Sequence, residues 1–126
     1  MDYCLTYFRV LFDEGFDLED FCQQLGLDLE VLKDFCEEDW LEVGRNEVYN
    51  VDLNVMVRET LKDLFEKEKI LLELKRKYHL TYYLERVIHI YADTENNINP
   101  ILSLAPDIVA FLYKSDTEDD LDYYVY

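Results

Sequence analysis

The chain has 126 residues, half of them hydrophobic and 15% aromatic, with only three glycines and two prolines. That composition excludes a disordered or fibrous chain and supplies one core, so a single domain over residues 1–126 is expected. Its 29 acidic residues against 12 basic ones give a formal net charge of -17, which opposes direct contact with nucleic acid or an anionic membrane and favours a basic partner.

Residues 3–12, YCLTYFRVLF, are rich in aromatic and β-branched side chains and predict a strand. DEGF turns the chain. Asp17 then stands at a helix N-cap position, with Leu18, Phe21, Cys22 and Leu25 on one helical face and Gly26 as the stop. A second short helix follows from Asp28, with Leu29, Leu32, Phe35 and Cys36 on one side. Residues 40–51 place two β-rich pieces around Gly44, Arg45 and Asn46 and predict a hairpin.

One long helix is expected from Asp52 or Asn54 to Lys77, kinked near Lys67, because Val57, Leu61, Leu64, Phe65, Leu71, Leu72 and Leu74 recur at helical spacing. LTYYLERVIHIYA, residues 80–92, predicts a strand with Tyr83, Glu85, Val87, His89 and Tyr91 on one face. DTENNINP reads as a loop. Ser103 is a candidate cap for a helix with Pro106 and Asp107 in its first turn. SDTEDD reads as a solvated turn and LDYYVY as a closing strand. The order of elements predicts an α+β fold, a mostly antiparallel sheet with helices packed on one face.

The start carries an acid at position 2 and no basic n-region, and every apolar stretch is shorter than a membrane span. A cytoplasmic protein is expected. Cys4, Cys22 and Cys36 are odd in number and lack close ligand pairs, so free thiols are expected rather than a disulfide framework or a zinc site.

Chemistry finds little support. Both histidines, His79 and His89, sit in patterns suited to a helix end and a strand. No nucleophile elbow and no glycine-rich phosphate loop occur. Asp116, Glu118, Asp120 and Asp122 alternate like the start of a calcium loop, but Leu121 stands where that loop requires glycine. Acid pairs are too abundant to single out a general acid and base. No catalytic residue, metal or cofactor is expected.

Charge distribution is more informative. Twelve acids and a single base, Lys33, fall between Asp13 and Glu42, and half of all bases lie between Lys62 and Lys77. A run of acids is most often a solvated face. As partner-binding residues the sequence offers Asp13, Glu14, Asp17, Glu19 and Asp20; then Glu37, Glu38 and Asp39 with Trp40; then Asp116, Glu118, Asp119 and Asp120. Trp40 is either an exposed anchor or a side chain packed under the hairpin.

TYFRVLF, FDLEDFCQQLGL, LLELKRKYHL, LSLAPDIVAFL and DLDYYVY, in that order, resemble a bacterial family catalogued only as a domain of unknown function; VGRN is a partial match to its glycine-containing segment. The resemblance implies a small bacterial α+β domain and carries no catalytic residues. By size and acidity the chain also resembles immunity proteins. The expectation is a non-catalytic inhibitor that neutralises a basic toxin, such as a nuclease, through an acidic surface. Alternatives are an anti-defence protein of a phage or mobile element that mimics nucleic acid, an enzyme with an unrecognised carboxylate site, and a homo-oligomer built through an edge strand.

Overall fold

The computed structural model describes residues 3–49, 52–90 and 103–125. The segment expected as the DTENNINP loop, and Tyr91, lie outside the described residues. Strand β1 (Tyr3–Leu11) alternates strictly, burying Cys4, Thr6, Phe8 and Val10 and leaving Tyr3, Leu5, Tyr7, Arg9 and Leu11 half-buried on the opposite face. It is followed by helices α1 (Leu18–Leu25) and α2 (Leu29–Lys33), strand β2 (Trp40–Tyr49), helices α3 (Leu53–Leu61) and α4 (Glu68–Tyr78), strand β3 (Thr81–Ile90), helix α5 (Pro106–Lys114) and strand β4 (Thr117–Val125). The sheet order is β2-β1-β3-β4. β1 is antiparallel to both neighbours, and β3 and β4 run parallel. The architecture is thus the α+β sandwich expected, with the core between the sheet and its helices.

Phe8, Tyr82 and Phe111 centre that core, with Phe8 5.2 Å from the Tyr82 ring and 6.4 Å from Phe111. The Tyr82 hydroxyl is buried and donates to the Leu71 carbonyl at 2.7 Å, so its one polar atom is satisfied. Cys4 and Cys22 are buried thiols and Cys36 is half-buried, all three unbridged.

α1 forms as its sequence dictates. Asp17 accepts a hydrogen bond from the Asp20 amide, and Gly26 ends the helix in the left-handed region at φ 69°. α2 is capped by Asp28 but stops at Lys33, so Phe35 leaves the helical face and is exposed.

Residues 40–49 form one strand, not a hairpin. Thr6 faces Asn46 and Phe8 faces Val43, so Tyr7 opposes both Gly44 and Arg45 in a bulge. Gly44 has φ 69°, and a Cβ there would lie 2.1 Å from the Thr60 carbonyl oxygen. The glycine therefore lets β2 bend under α3 rather than reverse. The buried hydroxyls of Thr6 and Thr60 then meet at 2.6 Å, and Asn46 donates to Thr60 at 3.1 Å.

The expected long helix is two. Glu66 takes φ 67° and Lys67 is non-helical, which resets the helical phase between Leu61 and Leu71. Leu64 and Phe65 remain in the core, with Phe65 5.4 Å from Phe111. The break also lets the Lys67 ammonium donate to the Leu25 carbonyl at the C-terminus of α1, at 2.5 Å.

Ser103 does not cap α5. Ala105 occupies the cap and offers no side-chain oxygen. Asn54 substitutes from α3, accepting from the Ala105 amide at 2.9 Å and donating to the Ser103 carbonyl at 3.2 Å. SDTEDD is not a turn either, since β4 begins at Thr117. Asp116 reverses the chain at φ 53°, held by Lys75 through its carbonyl and carboxylate. The acids fit in a strand because alternation points Glu118 and Asp120 away from the helices, while Asp119 pairs with Arg86.

Candidate functional site

The sheet face opposite the helices carries the chemistry. Strand register sets its side chains in rows. Trp40, Leu11 and Thr81 form the row at the end of the sheet where β4 starts. Next come Glu42, Arg9, Tyr83 and Glu118, and then Tyr7, Glu85 and Asp120. Glu47, Leu5, Val87 and Asp122 form the fourth row. Tyr49, Tyr3, His89 and Tyr124 close the far end, with successive ring centroids 5.4, 5.3 and 5.0 Å apart.

Glu85 is the centre of this face and is only 3% exposed. Its Oε1 lies 2.8 Å from Arg9 Nη2, without the alignment of a hydrogen bond. Arg9 stacks over Tyr83 at 4.8 Å. On the other side the carboxylates of Glu85, Asp120 and Asp122 all lie within 4.8 Å of one another. Burial pushes the Glu85 carboxyl up to about 7; Arg9 opposes that shift, and a hydrogen bond with Asp120 and the charges of Asp120 and Asp122 reinforce it. Burial likewise raises the Tyr7 phenol, helped by the charges of Glu85 and Glu42. The Tyr3 phenol is pushed up to about 12, chiefly by its hydrogen bond to Glu47. Such a cluster can exchange a proton near neutrality and can accept a cation.

Two of the three acid groups read from the sequence come together. Asp13, Glu14, Glu38 and Asp39 line a hollow of about 560 Å³ with Phe12, Gly15 and Phe16. Phe12 and Phe16 stack at 4.4 Å within that lining. The Phe12 amide donates to the Asp39 carbonyl at 3.0 Å, which fastens the two loops. Trp40 adjoins the hollow, half-buried, opposite Leu11. Glu37 precedes it, its amide donating to the Trp40 carbonyl at 2.8 Å.

The remaining acids divide. Asp17 is spent as the α1 cap and Glu19 is exposed in the first turn. Asp20 accepts from Lys77, Tyr78 and Gln24, in that order of effect, which lowers its carboxyl to about 2 and ties α1 to α4. Asp116 clamps Lys75 and Asp119 pairs with Arg86, so both serve the fold. Glu118 and Asp120 stay on the open face.

Residues the sequence left unassigned supply its middle and far end: Glu85, Arg9, Asp122 and the aromatic row. A second hollow, of about 210 Å³, lies between α1 and α4 and is lined by Asp20, Gln24, Ile70, Glu73, Leu74 and Lys77. Neither hollow is lined by Glu85, a histidine or a cysteine. No helix among the described residues is long and apolar enough to cross a membrane.

A family model described as a domain of unknown function (DUF4279) matches residues 37–126. No curated protein and no solved structure matches the chain.

Proposed function

We propose that this chain, which belongs to the DUF4279 family, is a bacterial binding protein of immunity type, without catalysis, that neutralises a basic toxin such as a nuclease through an acidic surface. The observation that carries the reading is the gathering of Asp13, Glu14, Glu38 and Asp39 around the stacked Phe12 and Phe16, next to Trp40. Carboxylates alone steer an encounter. An apolar floor inside their ring supplies the desolvated contact that holds it. The net charge of -17 extends the same attraction over the whole molecule.

A second reading, an anti-defence mimic of nucleic acid, draws on Glu118, Asp120 and Asp122. Alternate strand positions set these three side chains in one row, with the Asp120 and Asp122 carboxylates within 4.8 Å of each other. Both readings require a basic protein in the cytoplasm as the target.

The test is Asp13→Asn, Glu14→Gln, Glu38→Gln and Asp39→Asn together, against a basic protein retained from the source cell. The association rate should fall by about tenfold and its salt dependence should flatten. A rate that ignores both salt and the four changes contradicts the reading.

A further inference from the structure

We propose that the open sheet face is where the basic protein docks, with one arginine or lysine of that partner seated against the Asp120 and Asp122 carboxylates beside Glu85, and with its apolar side laid on the aromatic row. The inference rests on the acidic-surface reading above and deepens it by placing the footprint.

Charge complementarity identifies the occupant. The cations of this face are already engaged: Arg9 meets Glu85 and Tyr83, and Arg45 Nη1 donates to both carboxylate oxygens of Glu42 at 3.1 Å. Among the described residues, Glu118, Asp120 and Asp122 have no cation of the chain within ion-pair distance. A cation supplied from outside satisfies them. The aromatic row supplies the complementary apolar part, since Tyr49 and Tyr124 are 57% and 47% exposed. Exposed rings next to a row of carboxylates offer a partner both aromatic anchors and charged contacts, the two components of a protein interface.

Size agrees with a footprint that continues past the sheet. Four strands of nine or ten residues span about 14 Å by about 30 Å. That plan area falls below the roughly 800 Å² per partner of a stable interface. Trp40 leads from the sheet face towards the acidic hollow, so a partner that covers the face extends its footprint past the sheet at that end.

Seating a cation beside Glu85 has a proton consequence. The groups facing Glu85 are Arg9 and Tyr7 of β1 and Asp120 and Asp122 of β4, with Glu42 and Arg45 of β2 one strand beyond. Glu85 gives up its proton at about pH 7 in the free protein. A bound cation favours the ionised carboxylate, so docking expels that proton and strengthens as pH rises from 6 to 8.

The test is an NMR titration of the full chain with an octa-arginine peptide at pH 6 and pH 8. Amide shifts should centre on Tyr83, Val87, His89 and Asp122, and binding should be several-fold tighter at pH 8. Glu118→Gln with Asp122→Asn, both exposed positions, should weaken binding about tenfold. Glu30→Gln, on α2 away from the face, should leave it unchanged. Glu85→Gln should abolish the pH dependence, which assigns it to this carboxyl. Shifts confined to residues 13–16 and 38–39 would overturn the sheet-face site and leave the acidic-surface reading standing. No binding at either pH would contradict both.

Discussion

Glu85 meets Arg9 on one side and Asp120 and Asp122 on the other, so its neighbours set its ionisation. Its folded carboxyl holds a proton up to about 7, against an ordinary value of 4.5. The native state therefore binds more protons than the unfolded chain between those values, and this contribution to stability is full below 4.5 and lost as pH rises to about 7. Denaturant melts should show stability falling from pH 5 to pH 8, and Glu85→Gln should remove that slope. Asp20 has the opposite sign. Hydrogen bonds from Lys77, Tyr78 and Gln24 depress it to about 2, so its contribution is present above 3.8 and fades as pH falls towards 2. Gly44 is a purely steric case: Gly44→Ala adds a left-handed strain and a clash with the Thr60 carbonyl, and should cost about 2 kcal/mol or more in the same melts. At this scale the sequence was partly legible. Period-two alternation placed Glu85 and His89 on one face, but the partners of Glu85 come from 76 residues earlier and 35 later, and no local pattern reports such pairings.

The elements that follow local rules were readable. Asp17 and Gly26 bound α1, and the alternation of residues 3–12 gives β1. The errors share one cause, a tertiary contact that overrides a local signal. Gly44 with Arg45 and Asn46 has hairpin chemistry, but the close approach of α3 turns it into a bulge. Leucine periodicity across residues 57–74 hides a break that serves the Lys67 contact with α1. Ser103 has the chemistry of a cap, but Asn54 occupies that role from another helix. This last swap is directly measurable. Asn54→Ala should cost about 1–2 kcal/mol through two lost hydrogen bonds. Ser103→Ala should change stability by less than about 0.5 kcal/mol. Equal effects of the two would contradict the assignment. Thr60→Val should likewise cost about 1–3 kcal/mol, because it strands the buried Thr6 hydroxyl.

Among the described residues, helices cover one side of the sheet and leave the other open. The open side joins the acidic hollow at the Trp40 end to the tyrosine and histidine row at the far end. Net charge was plain from composition, and the acid groups were visible as runs. Their fate was not, because folding spends Asp17, Asp20, Asp116 and Asp119 on caps and ties and leaves Asp13, Glu14, Glu38, Asp39, Glu118 and Asp120 outward. The central claim is that this surface meets a basic protein. Affinity capture with the full chain from its own cell's lysate, at low and at moderately raised salt, tests it most directly. One stoichiometric basic protein should be retained at low salt and weakened as salt rises. A lane without such a protein at both salts would contradict it.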